Sequence, residues 1–319
     1  MRRLTPFVIA LVAPGLTAAP ALAEIVPLPD VVSAITARVA KGGGVTIAEK
    51  SSSRLQALPA SDRMVYSAGF SVQVKGRLQL GRGGVIGSDI SRRITLNSSL
   101  AGQAARDVAA AGDKHVASLI PQTSWHRWIS TKGWLYGSGN LFTATLPEGK
   151  SWARVKRAAG PDAAYGDLLV NIFEPATLKA FITEKNRKGR GHLATGPTGK
   201  KEWQLMYAGV LTFAEMFKLS PTFRAAANGE LPDADRGRHL NWAVFVGKDG
   251  LPLRVVSFWE VREKVRFFTD VTVTDYIGWS NRAAVAPPPA GEVSSSAGPA
   301  NLPEADDTID MLAARPPLG

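Results

Sequence analysis
The sequence predicts an α+β protein whose helices are set against one face of a large antiparallel sheet. Two observations carry that reading. Long stretches alternate apolar and polar residues with period two, and the elements run helix, strands, helices, strands. The chain of 319 residues is 45% hydrophobic and 20% charged, enough apolar material for a sizeable core.

Val31, Ile35 and Val39 carry helical spacing behind Asp30, and Gly42 ends that segment. A short strand follows at 45–49. From 64 to 80, Met64, Tyr66, Ala68, Phe70, Val72, Val74, Leu78 and Leu80 all fall at even positions with mostly polar residues between them, a long half-buried strand. Gly81-Arg82-Gly83-Gly84 turns the chain, and Ile90, Ile94 and Leu96 alternate on the return. Shorter strands are expected at 134–145, 152–156 and 203–211. Leu240, Trp242, Val244 and Val246 lead into Lys248-Asp249-Gly250, a hairpin signal. Residues 251–261 return and 264–276 add another strand, about nine in all and all antiparallel.

The helical segments lie between these strands. Pro161 opens one, with Tyr165, Leu168, Leu169 and Ile172 on an apolar face. Pro175 opens the next, with Leu178, Phe181 and Ile182. Thr212-Phe213-Ala214-Glu215 is a capping box ahead of Met216 and Phe217, and Ser220-Pro221 restarts the helix as far as Asn228-Gly229. Residues 186–201 read as a long basic, Gly-rich loop.

The two ends differ from this body. Arg2-Arg3, the apolar run at 4–12 and Ala21-Leu22-Ala23 read as a signal peptide over 1–23, with Glu24 as the mature N-terminus and a secreted, extracytoplasmic protein as the consequence. Residues 283–319, rich in Pro, Ala and Ser, read as a disordered tail behind a folded domain at 24–282.

Charge is uneven. The chain has 38 basic and 27 acidic residues, a net charge of +11. Without Arg2 and Arg3 the net is +9. The tail contributes −4 from five acids and one base, so the body carries +13. An anionic membrane or cell-wall surface suits such a body. A merely solubilising surface is the plainer alternative. Nucleic acid is not expected, because no helix-turn-helix, zinc-finger or ribonucleoprotein motif occurs.

Motifs for catalysis are missing. Without Cys there is no thiol nucleophile, disulfide or Cys-ligated metal. His115, His126, His192 and His239 form no local metal-ligand pair. No GxSxG occurs, and the P-loop pattern fails at Ala194 and Lys201. Asp233/Asp235 and Asp306-Asp307 read as solvated pairs. Neither an enzyme, a cofactor nor a metal site is expected. Trp125-His126-Arg127-Trp128 reads preferentially as a loop folding two Trp onto the sheet, and otherwise as an aromatic-plus-cation ligand contact.

Four stretches, in order, resemble the LolA-like superfamily, in particular the actinobacterial envelope lipid-carrier proteins related to mycobacterial LppX and LprG. They are the 64–80 strand, Leu146-Pro147-Glu148-Gly149-Lys150-Ser151-Trp152, Tyr207-Ala208-Gly209-Val210-Leu211-Thr212, and Asp249-Gly250-Leu251-Pro252 with Leu253-Arg254-Val255. Thr274-Asp275-Tyr276 and Ala286-Pro287-Pro288 follow. The resemblance implies a curved antiparallel half-barrel with helices across its concave face. It also implies a non-covalent carrier of an amphipathic lipid in an apolar cavity between the layers, and a monomer. The chain departs from the lipoprotein members in having no Cys for an acyl anchor.

On that reading the candidate ligand-binding residues are Phe70, Val72, Val74, Ile94, Leu96, Trp134, Leu169, Ile172, Phe173 and Phe181, with a headgroup at the rim near Lys75 or Arg77. The residues alone leave two outcomes open. The layers stand apart around a ligand, or they pack dry, which makes the chain an envelope interaction module with a closed core and a basic partner-binding surface.

Overall fold
The computed structural model describes residues 27–57, 67–97, 120–143, 146–156, 170–227, 229–262, 266–280 and 284–294. Helix α1 (Val31–Lys41) starts on the expected cap. The Asp30 carboxylate accepts from the Ser33 backbone N–H at 3.0 Å and from its hydroxyl at 2.7 Å.

Two antiparallel meanders follow. The first comprises β1 (Gly43–Ala57), β2 (Ser67–Gly81), β3 (Gly84–Leu96), β4 (His126–Thr131), β5 (Trp134–Gly139) and β6 (Trp152–Lys156). The second comprises β7 (Arg187–Thr195), β8 (Lys201–Thr212), β9 (His239–Val246), β10 (Pro252–Arg262) and β11 (Arg266–Ser280). β1 pairs with β11, so the first and last long strands meet at mid-sheet and join the meanders. A two-residue strand, β12 (Val293–Ser294), adds to β6 in parallel. Among the described residues the sheet has 12 strands in the order β12-β6-β5-β4-β3-β2-β1-β11-β10-β9-β8-β7, and it does not close. Register shifts at Thr46/Ile47, Gln79/Leu80 and Pro252/Arg254 act as bulges that bend it.

The helices cross the concave face: α1, α2 (Asn140–Thr143), α3 (Pro175–Phe181), α4 (Phe213–Leu219), α5 (Pro221–Ala226) and α6 (Asp233–Arg236). One core cluster joins Val31 and Ile35 of α1, Phe181 of α3, Phe213 of α4 and Phe223 of α5 to inward strand residues such as Ile47, Val74, Val244 and Tyr276. Phe142 of α2 lies flat against the strand at Gly137, where a Cβ would stand 2.1 Å from its ring. The capping box forms as read: Thr212 Oγ1 accepts from Glu215 N, and Thr212 N donates to Glu215 Oε2 at 2.6 Å.

Five expectations are corrected. Residues 187–195 of the basic loop form the edge strand β7. An edge strand with no buried face has no reason to show apolar alternation, so composition concealed it. The strand expected at 134–145 stops at Gly139 and passes into α2. Trp125-His126-Arg127-Trp128 enters strand β4 rather than a loop. Asp235 is buried and bonded to Arg238 at 2.9 Å, not solvated. The start of the expected tail, 284–294, lies on the sheet: β12 pairs with β6, and Val285 is buried beside Ile129, Tyr136 and Trp152. The helix expected from Pro161 falls largely outside the described residues, as do Met64 and Tyr66. Its last positions, Ile172 and Phe173, sit in a turn before α3.

Candidate functional site
Successive residues of a strand point to opposite faces, and in the central strands the two faces differ in chemistry. On the concave face, Val72, Val74 and Ile94 are buried, Phe70 and Leu96 are half-buried, and Ile172, Phe173 and Phe181 are buried. All eight belong to or pack against one core cluster, but at different parts of it. Val72 pairs in register with Ile94 and Phe70 with Leu96. Phe173 lies at the other end of that hairpin, beside Gly84, with its ring 5.8 Å from Tyr276 and 6.2 Å from Trp279. Ten residues of strand, on the order of 30 Å, separate Leu80 at that end from Phe70. Phe181 stacks on Trp242 of β9 at 4.0 Å, in the second meander. Trp134 is on neither side of that interior: it is half-exposed, with Arg154 4.5 Å over its ring. Leu169 lies outside the described residues.

Between these aromatic clusters runs a buried polar ladder that hydrophobic pattern reading passed over. It joins β1 to β11 across three register pairs. Thr274 Oγ1 donates to Glu49 at 2.8 Å, Ser51 and Thr272 share a hydroxyl bond at 2.9 Å, and Ser53 Oγ donates to Asp270 at 2.6 Å. On β2, Val74 and Val72 flank it. The floor of the concave face is therefore small and mixed: Ser51, Ser53, Thr272, Thr274, Val72 and Val74.

Two further inward groups matter. His126 is buried opposite Arg92, and its Nδ1 lies 3.3 Å from the Ser124 carbonyl. Burial first and the Arg92 charge second push its pKa down to about 4, so the ring is neutral at pH 7. Glu174 accepts from Thr177 Oγ1, Ser220 Oγ, Thr222 N and Thr222 Oγ1 at 2.6–2.9 Å, which ties the start of α3 to the start of α5. The Glu-Pro at a helix start was the available sequence signal.

The outer face carries a groove of about 600 Å³. Ala48, Val271 and Val273 form its floor, and Lys50, Lys75, Trp125 and the Arg254–Asp275 pair stand around it. Lys75 Nζ is 4.4 Å from the Trp125 ring centroid, and Arg93 is 4.8 Å from the same ring. Arg93 Nε also donates to Gln73 Oε1 at 2.9 Å. Arg254 donates twice to Asp275. Lys75 and Arg77, expected at outward-facing positions by the rim, are exposed on this outer face. Further along, Arg127 clamps Asp89 at 2.7 and 2.8 Å. Burial raises the Asp89 pKa, but Arg127 and then Arg77 outweigh it and hold the carboxyl below its usual value.

No protein-family model matches the chain, and no curated protein matches it. Among solved structures, it is similar to a LolA superfamily protein from Nitrosomonas europaea, at 12% identity over 75% of this chain and 87% of that one, with a TM-score of 0.20. A DUF1329 family protein from Desulfovibrio piger follows at 11% identity, covering 79% and 90%, with a TM-score of 0.17. A Vibrio parahaemolyticus domain named for outer membrane lipoprotein sorting follows at 8% identity, covering 78% and 90%, with a TM-score of 0.14. Scores at this level carry no inference, and the functional reading rests on the chain's own residues.

Proposed function
We propose that the chain is an extracytoplasmic carrier that holds an amphipathic lipid non-covalently between the concave face of the sheet and the helices. One observation supports this above others: the middle of the concave face is floored by small side chains, while the bulky aromatic rings gather around it. Trp128 with Phe142, Phe173 with Tyr276 and Trp279, Phe181 with Trp242, and Phe213 with Trp259 pair with one another, and Tyr276 and Trp259 border the floor at its two ends, next to Thr274 and Asp270. A floor mixing Val72 and Val74 with the Ser–Thr ladder suits an amphipathic ligand better than a pure hydrocarbon. Burying an acyl chain of about 15 methylenes at ~0.8 kcal/mol each supplies on the order of 12 kcal/mol gross, before association and ordering costs. No nucleophile or metal is needed. The signal-peptide pattern at 1–23 supports the location outside the cytoplasm.

The near-complete burial of Val72, at 1% exposure, favours a second reading, a closed-core interaction module of the envelope. Val72→Trp separates the two. In a carrier the indole fills the ligand's space, so uptake of a fluorescent fatty-acid probe is lost while the melting temperature holds or rises. In a dry core it overpacks, at a cost of roughly 1–3 kcal/mol. A destabilised variant together with a wild type that takes up no probe replaces the carrier with the closed module.

A further inference from the structure
β11 is laid into the sheet against its own hydrophobic pattern. Asp270, Thr272 and Thr274 face the interior and are buried, whereas Val271 and Val273 face outward and are half-exposed. Burial ordinarily selects the opposite arrangement, and conflicts of this kind concentrate at functional sites. The two valines are not scattered surface residues. With Ala48 they make the apolar floor of the outer groove, whose volume of about 600 Å³ lies within the ordinary range of small-ligand sites.

The rim above this floor is cationic. Of its two guanidinium or ammonium types, Arg254 is committed to Asp275, while Lys50 and Lys75 are in no ion pair among the described residues. Of the two carboxylates that line the groove, Asp275 is placed on its face by strand alternation, and Arg254 occupies it. Glu49 contributes to the lining, but its carboxylate points inward to Thr274. Trp125 closes one side, with Lys75 held over its ring.

We propose that this groove binds an oxyanion, phosphate or carboxylate, carried on a small apolar body. Lys50 and Lys75 hold the anion as mobile point charges, and Ala48, Val271 and Val273 cover the apolar part. The site lies on the face opposite the interior, so it does not rest on the carrier reading. The same chemistry is offered by a free amphiphilic anion and by a phospholipid headgroup at a membrane surface.

The test uses the full chain and two forms of one ligand chemistry. Dihexanoyl phosphatidic acid, kept below its micellar concentration, is titrated calorimetrically alongside inorganic phosphate. Sedimentation with phosphatidylcholine vesicles, with and without phosphatidic acid, supplies the membrane arm. Wild type should bind the short-chain phosphatidate about tenfold tighter than inorganic phosphate, and Lys50→Gln/Lys75→Gln and Val273→Asp should each weaken that binding about tenfold or more. Arg190→Gln, an exposed substitution on the distant edge strand β7, should leave it unchanged. If only the acidic vesicles bind, and the double lysine variant abolishes that binding, the ligand is the headgroup in its membrane. If a variant does not fold, as judged by thermal melting, single Lys50→Gln is read in its place. The proposal is overturned by a wild type that binds neither form, by binding that the folded lysine variants leave intact, or by binding that Arg190→Gln weakens as much as the lysine variants do.

Discussion

The inner and outer faces of β1 and β11 are made by alternate residues of the same strands, yet they reverse the usual assignment of chemistry. Inside, Glu49, Ser51 and Ser53 meet Thr274, Thr272 and Asp270 in a hydrogen-bonded ladder. Outside, Val271 and Val273 lie beneath Lys50 and Lys75. A buried polar group is tolerable only when it is hydrogen-bonded, and the antiparallel register of β1 on β11 supplies the partner for each of these residues. The lesson is that pairing, rather than hydropathy, decides which face of these strands turns inward. The neighbouring β9 behaves conventionally: Leu240, Trp242, Val244 and Val246 are all buried.

The comparison is broken most severely at the apolar part of the inner face. Trp259 of β10, packed between Phe213 and Phe268, is almost fully buried. Trp259→Ala should cost ~3–5 kcal/mol in denaturant unfolding through the cavity it leaves. A loss under 1 kcal/mol would place that ring outside the core.

A smaller effect comes from His126. Its folded pKa of about 4 lies below the ordinary 6.5, so between those values the unfolded chain binds more protons than the folded one. Stability from this residue is therefore complete above about pH 6.5 and falls as pH drops toward 4, by on the order of 3 kcal/mol in total. His126→Phe should remove that part of the slope while leaving the carboxylate contributions. Parallel pH–stability curves for variant and wild type would show that the ring titrates normally.

The finest test contrasts adjacent residues. Thr272→Val strips a hydroxyl from the ladder and leaves Ser51 without its partner, a cost of about 1–2 kcal/mol. Val273→Thr, one residue on and facing out, should change stability by no more than about 0.5 kcal/mol. The reverse order in urea unfolding would mean that the faces of β11 are exchanged.

Much of the fold was legible because local signals agreed with it. Asp30 and Gly42 bracket α1, the Thr212–Glu215 box starts α4, and Asp249-Gly250 turns β9 into β10, each through bonds or torsions confined to a few residues. Alternation over β2 placed Val72, Val74, Leu78 and Leu80 on one face correctly. The candidate site was legible only in part. Val72 and Ile94 do pair, but alternation along a strand carries no information about which distant ring lies above it: Phe173 packs near Gly84 at the far end of the hairpin and Phe181 stacks on Trp242 of the second meander. Trp134, expected among the ligand-binding residues, instead lies at the surface with Arg154 over its ring.

The sequence by itself therefore determined the class, the caps, the turns and the conventional strands, because these depend on residues near one another along the chain. Tertiary structure alone decided the meeting of β1 with β11, the edge role of β7 and the return of 284–294 to β6. It also decided the inward turn of Asp270, Thr272 and Thr274. Each of these depends on a partner about 140 to 235 residues away or, for β7, on the lack of a second neighbour. A polar residue becomes a core residue only when such a partner arrives to complete its hydrogen bond.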